Sequence, residues 1–255
     1  MANLYFREDI AAEAFAAGAL VEVTGDEARH AVRVSRLRTG ERILVGDGAG
    51  LLGEGPVEEV AKDRFAVRVD AVRSHPAPET SLVLVQALAK GDRDERAVEQ
   101  ATEFGVDAVV PWEASRSVSR WSGAGGAEKA AKGVAKWARI AREASKQSLR
   151  ARIPEVRDPA TLAGLCARAG REDTEVLVLH PRGSRALSAW AAAGLAPGTR
   201  EVHLVVGPEG GLADEELDAL EAAGARILAL GSTVLRTSSA GPAALAVLNV
   251  ALGRW

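Results

Sequence analysis

Three stretches combine residue types and spacings that could do chemistry. "VVGPEGGLADEE", Val205 to Glu216, runs an apolar segment into a Gly-Pro elbow, one acid, two glycines and an acidic run. "LALGSTVLRTSSAGPAAL", Leu228 to Leu245, leaves an apolar segment through Gly231 and presents Arg236, Thr237, Ser238 and Ser239. "LHPRGS", Leu179 to Ser184, is the third. Glycine loops between a strand and a helix commonly cradle phosphates with backbone N–H groups and a lysine. None of these three stretches carries G-x-x-x-x-G-K-[ST] or G-x-G-x-x-G, and Glu209 would repel a phosphate at the loop centre. A cationic or neutral ligand suits the loop better. Gly207, Gly210 and Gly211 let such a ligand approach bare backbone. One residue suffices to cap a helix, so Arg236 and the three hydroxyls after it exceed what capping needs, and some of them should face a ligand or substrate.

The elements that must position these loops alternate. From Ser81 onward the strands "SLVLVQAL", "DAVVPW", "EVLVLH", "EVHLVV" and "ARILAL" are apolar throughout. Helices are predicted over Arg93 to Phe104, Glu128 to Leu149, Leu162 to Ala169, Ser184 to Ala192, from Ala213, and in the Ala-rich C-terminal segment. Apolar strands joined by helices predict an α/β fold with a parallel sheet covered on both faces, and a ligand site at the strands' C-terminal ends. Before Ser81, "ALVEVTG", "ERILVGDG", "LLGEGPVEEV" and "RFAVRVDAV" read as short alternating strands of a small β-rich module. The Pro-rich "SHPAPET" separates the two patterns. The expected division is 1–73, a linker over 74–80, and 81–255.

The 255 residues are 47% hydrophobic and 26% charged, as in an ordinary globular protein. Charges in "MANLYFREDIAAEAF" argue against a signal peptide, no apolar run is long enough to span a membrane, and a cytoplasmic location is expected. Cys166 is the single cysteine, so an internal disulfide is excluded and a zinc cluster is not expected; no metal is called for. The net charge of −3 hides two basic stretches. Between Arg116 and Arg157 eleven Lys/Arg face three acids, and "RHAVRVSRLRTGER" sets Arg29, Arg33, Arg36, Arg38 and Arg42 against Glu41. Local basic faces on an acidic chain point to a polyanion, or to solvated helix surfaces.

S-adenosylmethionine meets the loop's demand, with a positive sulfonium, an adenosine that backbone groups can hold, and no phosphate. "VGPEGGLADEEL" followed by "LGSTVLRTSSAGPAAL" resembles the C-terminal signature of the SPOUT class of methyltransferases. More narrowly the chain resembles the ribosomal RNA small subunit methyltransferase E family. "HAVRVSRLRTGE", "QALAKGDRDERAVEQATEFGV", "SRSV" and "KWARIAREASKQSLRARIPEV" extend the resemblance over nearly the whole chain. The family usually carries "LRTETA"; here Ser238 stands where its glutamate would be. The resemblance implies a SPOUT-type sheet with a C-terminal trefoil knot, a PUA-like RNA-binding N-terminal domain, a homodimer, and methylation of N3 of a uridine in the 16S rRNA of the small ribosomal subunit. The alternatives are another RNA position, such as a ribose 2′-hydroxyl of tRNA or 23S rRNA, and a non-catalytic RNA-binding assembly factor.

On this reading His180, Val206, Gly207, Glu209, Gly210, Gly211, Leu230, Gly231, Leu235, Arg236, Thr237 and Ser239 hold the cofactor. Glu209 supports its loop by accepting backbone N–H bonds, or favours the sulfonium. Methylating an imide nitrogen requires loss of its proton, so a base or a donor to the resulting anion would accelerate it. Arg236 is the expected anion stabiliser or substrate anchor, and Glu143 a possible base. Arg139, Glu143, Lys146, Gln147 and Arg150 recur at three- or four-residue spacing, which predicts one helix face that meets phosphates and, through Gln147, a base edge. Arg33, Arg36, Arg38, Lys90, Arg93 and Arg116 are expected to add phosphate contacts.

Overall fold

A computed structural model describes residues 3–11 and 14–255. Short apolar runs form β1 (Leu4–Phe6), β2 (Leu20–Thr24), β3 (Arg42–Gly46), β4 (Leu51–Val60), β5 (Arg64–Arg68) and β6 (Ala71–Ser74), with helix α1 (Gly25–Arg33) after β2. The sheet order is β1-β3-β4-β5-β2, with β6 on β4; β1 and β3 run parallel and the other pairs antiparallel. Alternation sets the buried face: in β2, Val21 and Val23 are buried and their neighbours exposed. They join Tyr5, Ile43, Val45, Phe65 and Val67 in one core.

The sequence pattern predicts strands alone here, yet "GDEARHAVR" is helical. Ala28 and Ala31, three residues apart, are buried against the sheet, while Asp26 and Glu27 in the first turn and His30 and Arg33 in the last complement the helix dipole. "RFAVRVDAV", read as one strand, is two, broken at Val69 and Asp70.

The chain divides into two compact units, Met1–Ala77 with Ser145–Ile153, and Pro78–Ala144 with Pro154–Trp255. The sequence pattern assigns 145–153 to the second domain; in the fold it groups with the first. Ala151 and Ile153 pack on Leu4, Phe6, Leu44 and Leu52, Gly50 N donates to Ala151 O at 3.1 Å, and Arg152 Nε donates to His75 O at 2.9 Å.

The second unit holds β7 (Ser81–Ala87), α2 (Arg93–Glu103), β8 (Ala108–Trp112), α3 (Gly126–Gln147, whose last turn enters the first unit), β9 (Glu155–Val156), α4 (Leu162–Ala169), β10 (Thr174–Leu179), β11 (Arg185–Ala186), α5 (Leu187–Ala191), β12 (Glu201–Val206), α6 (Asp214–Ala222), β13 (Arg226–Ala229) and α7 (Thr237–Ala251). Its seven strands are all parallel, in the order β11-β13-β10-β12-β7-β8-β9. Leu82 and Leu84 of β7 pack with residues of α2, α3, α5 and α7. Val83 and Val85, on the opposite face, pack with Leu165 of α4 and with Leu217 and Leu220 of α6. Both faces are therefore covered, the condition under which a parallel sheet is stable. The two-residue strands β9 and β11 have too little pattern to read from sequence, and β11 takes the start of the helix predicted from Ser184.

Candidate functional site

Because every strand of this sheet points the same way, the C-terminal ends of β10, β12 and β13 lie together, and the loops leaving them border one cleft of about 640 Å³. Leu179, His180 and Pro181 line it after β10; Val206, Gly207 and the loop through Leu212 line it after β12; Val234, Leu235, Arg236 and Thr237 line it before and at the start of α7. Leu230 and Gly231 border an adjoining hollow that shares His180, Pro181 and Leu235 with the cleft. Ser239 borders neither.

The glycine loop is held from several sides. Thr237 Oγ1 donates to Gly207 O at 2.7 Å and accepts from Gln86 Nε2 at 2.9 Å, so its hydroxyl is engaged by the protein. Trp112 Nε1 donates to Val206 O at 3.2 Å, and Arg116 Nη1 to Leu212 O at 3.2 Å. Arg116, expected on phosphate, thus braces the loop. A Cβ on Gly207 would meet the Leu212 side chain at 3.0 Å, and Gly211 turns the chain at φ +71°.

The acid in this loop has a definite partner set. Glu209 Oε1 accepts from Lys90 N at 3.0 Å and from Arg93 Nη1 at 2.5 Å. Burial alone would raise its pKa, but the bonds from Arg93 and the Lys90 backbone outweigh that and hold it below the ordinary carboxylate value. Glu209 therefore ties the loop after β12 to the segment between β7 and α2, and Arg93, expected on RNA phosphates, neutralises it and lines the cleft.

Two further acids, which sequence reasoning missed, fasten the segment between β8 and α3 and the start of α6. Glu216 accepts from Ala213 N at 2.9 Å, capping α6, and from Ser115 N at 2.8 Å and Ser115 Oγ at 3.0 Å. Glu113 accepts from Ser122 Oγ at 2.6 Å, Arg120 Nη1 at 2.8 Å, Trp121 N at 2.9 Å and Ser122 N at 3.0 Å. Nothing in the sequence singles out these two acids; Gln86, a polar residue in a largely apolar strand, is a signal for the Thr237 contact alone.

Arg236 is exposed at the cleft, and its guanidinium makes no ion pair or hydrogen bond among the described residues. His180 Nδ1 accepts from Arg182 N at 3.2 Å. Burial, with the Arg182 and Arg116 charges, lowers its pKa, so the imidazole is neutral at pH 7, and with Nδ1 accepting, the proton sits on Nε2. Glu143 pairs with Arg142 at 3.3 Å and does not line the cleft. The predicted helix face is also not continuous. Helix α3 stops at Gln147, Leu149 turns left-handed at φ 55°, and Arg150 lies beyond. Lys146, expected on phosphate, is buried in an ion pair with Glu27 at 3.2 Å. Arg139 and Gln147 are exposed, as are Arg33, Arg36, Arg38 and Lys90. Among the described residues no group of three metal-ligating side chains forms, and no helix is long and apolar enough to cross a membrane.

A chain that holds a parallel sheet with a glycine-lined cleft at its strand ends, and a separate small β-rich unit, defines the class. A family model described as an RNA methyltransferase domain matches residues 76–249, and one described as an RNA methyltransferase PUA domain matches residues 23–70. Ribosomal RNA small subunit methyltransferase E of Mycobacterium bovis is 42% identical over 241 residues, covering 93% of this chain and 89% of the relative. The chain belongs to the ribosomal RNA small subunit methyltransferase E family. Among solved structures, a Legionella pneumophila protein in complex with the cofactor SAM superposes with a TM-score of 0.82 at 28% identity, covering 98% of each chain. The Neisseria gonorrhoeae ribosomal RNA small subunit methyltransferase E, bound to S-adenosyl methionine, gives 0.80 at 22% identity over 98% of each chain, a likeness of fold.

Proposed function

We propose that this protein transfers the methyl group of S-adenosylmethionine to N3 of a uridine in the 16S rRNA of the small ribosomal subunit. The observation that carries the reading is the convergence of three loops on one cleft whose walls are apolar and whose rim carries the unpaired Arg236. At about 640 Å³ the cleft lies within the roughly 300–1,000 Å³ of small-molecule sites. The residues present fit the cofactor. A Cβ on Gly231 would meet nothing within 4 Å and its backbone is not left-handed, so neither crowding nor strain demands glycine there; the space a side chain would fill is open to a ligand. Leu179, Val206, Leu212 and Leu235 offer apolar surface to an adenine, and the acid in the loop is already satisfied, so it needs nothing from a phosphate.

Bound S-adenosylmethionine supplies an electrophilic methyl group on a sulfonium. The chain's own part is to hold the acceptor and stabilise charge. Arg236 donates to the uracil oxygen that becomes anionic as N3 releases its proton to water. The neutral His180 presents Nε2–H as a second donor at the cleft. The same reading includes a trefoil knot of the C-terminal chain and a homodimer, supported for the latter by Val250 in the last turn of α7 and Trp255 beyond it, 65% and 62% exposed.

The test is methyl transfer from labelled S-adenosylmethionine to 30S subunits of cells lacking their own N3-methyltransferase, followed by nucleoside mass spectrometry. Appearance of 3-methyluridine in 16S rRNA is expected. Label on a ribose, or on no RNA at all, overturns the reading.

A further inference from the structure

The first unit contains a small polar hollow of about 90 Å³ that plays no part in the cleft. Asn3, Tyr5, His30, Ser35, Lys146 and Gln147 line it. At roughly 30 Å³ per water it holds about three waters, the space of a flat ring rather than of a nucleotide with its sugar. Tyr5 is 2% exposed, and its hydroxyl has no hydrogen-bond partner among the described residues. Burial raises the phenol's pKa, and the Ser35 side chain nearby partly offsets the rise. An unpaired buried hydroxyl costs free energy unless something meets it, and here it borders an opening.

The chemistry of the lining selects the ligand. Lys146, the one cation among the described residues that line the hollow, is engaged by Glu27 at 3.2 Å, and the other described polar lining groups are a phenol, two amides, a hydroxyl and an imidazole. Such a set suits the edge of a heterocycle better than a phosphate. Leu149, 38% exposed and held at φ 55°, adds an apolar edge against which a ring can pack. The free cations are on the same stretch of chain as His30 and Ser35. Arg29 pairs with Asp26 and Arg42 with Asp70 at 2.6 Å, whereas Arg33, Arg36 and Arg38 are exposed with no ion pair among the described residues. Arg36 moreover sits at φ 54°, a conformation in which glycine would be less strained.

We propose that the Tyr5–Gln147 hollow receives one unpaired nucleobase of the RNA substrate, while Arg33, Arg36 and Arg38 hold the phosphates on either side of it. The proposal rests on the reading that the substrate is RNA. It makes the first unit a reader of unpaired RNA rather than a general polyanion surface, since a paired base cannot enter a pocket of this size.

Fluorescence anisotropy of the full chain, with a mixed-sequence single-stranded RNA and a duplex of equal length at several salt concentrations, tests it. Tyr5→Phe removes only the hydroxyl and keeps the ring that packs edge-on against Phe65, with 5.2 Å between centroids. It should weaken single-strand binding about three- to tenfold, the effect of one lost hydrogen bond, with duplex binding and the salt slope unchanged. Gln147→Ala, on the exposed rim, should do the same, whereas Arg36→Ala should flatten the salt slope for both RNAs. Single-strand binding unchanged in both Tyr5→Phe and Gln147→Ala overturns the proposal, as do equal losses on duplex and single strand, or no affinity of the unaltered protein for the single strand. Methyl transfer by the unaltered protein, measured separately, reports on the reaction alone. A Tyr5 effect without transfer sinks the reaction and keeps the pocket, and transfer without a Tyr5 effect does the reverse.

Discussion

One hydroxyl fastens three elements: Thr237 Oγ1 donates to Gly207 O at 2.7 Å and accepts from Gln86 Nε2 at 2.9 Å, joining the start of α7 to the loop after β12 and to the end of β7. All three groups are polar, and Thr237 and Gln86 are buried at 6% and 0% exposure. Thr237→Val keeps the shape and removes the hydrogen bonds, stranding a carbonyl and an amide at a cost of about 1–3 kcal/mol. Isothermal titration should show S-adenosylmethionine binding weakened roughly tenfold, a change of about 1.4 kcal/mol, with Thr237→Ser close to the unaltered protein. Equal affinity of Thr237→Val and the unaltered chain would remove the clamp from the account of the site.

Glu209 offers a sharper discrimination. Its Oε1 accepts from Lys90 N and Arg93 Nη1, an arrangement that places the carboxylate as a tie between loops. Glu209→Gln keeps an oxygen able to accept from Lys90 N, so cofactor affinity should fall no more than severalfold; Glu209→Ala, which leaves that N–H unmet, should cost more. A direct partnership with the sulfonium demands the opposite ranking of charge over shape, with Gln as damaging as Ala. Competition binding of both variants separates the two roles.

The fold was legible where the pattern was redundant. Strands such as Leu82–Val85 are apolar at every position because both faces are covered, and longer stretches of helix-forming residues separate them. Helix α1 escaped because it is short and its buried face is two alanines among charged residues: the period is marked, but it carries too little apolar surface to stand out from the short strands around it. The glycine loops announced a ligand and excluded a phosphate by type alone. Partners were another matter. Arg93 and Glu209 lie 116 residues apart, and no local rule joins them, so an arginine placed on RNA by its charge turns out to neutralise the loop. Lys146 shows the same limit: its spacing on α3 is that of a surface residue, yet the last turn of that helix belongs to the first unit and buries it against Glu27.

Glu113 makes a pH prediction. Burial alone would raise its pKa, but bonds from Ser122 Oγ, Ser122 N, Arg120 and Trp121 N together hold it at about 2, against 4.5 for an unperturbed glutamate. A folded-state pKa below the unfolded one contributes stability that is fully present above the unfolded value and lost as pH falls through the folded one. The difference in unfolding free energy between the unaltered protein and Glu113→Gln should therefore be flat from pH 7 to about 5, on the order of 2–3 kcal/mol at most, and shrink toward zero between about 4.5 and 2. Denaturant melts across that range check it. A difference that stays constant down to pH 2.5 would mean the carboxylate's charge is not what holds Trp121 and Ser122.

Arg236 carries the largest catalytic expectation. It caps α7 with its backbone, Ala240 N donating to its carbonyl at 3.0 Å, so the helix start is fixed while the guanidinium, at the cleft, has no partner among the described residues. On the proposed N3 reaction, a cation held there would stabilise charge that appears on the uracil oxygens only as N3 is deprotonated, an interaction stronger in the transition state than in the ground state. Arg236→Ala should then lower kcat by about 10²–10³-fold, the range for loss of one preorganised donor, with cofactor affinity within severalfold of the unaltered protein. Arg236→Lys should recover part of the rate, because the charge returns without the planar fork. Single-turnover transfer to 30S subunits alongside cofactor titration separates the two effects. Loss of cofactor binding in Arg236→Ala would assign the residue to the cofactor, and full activity would leave the deprotonation without its stabilising charge.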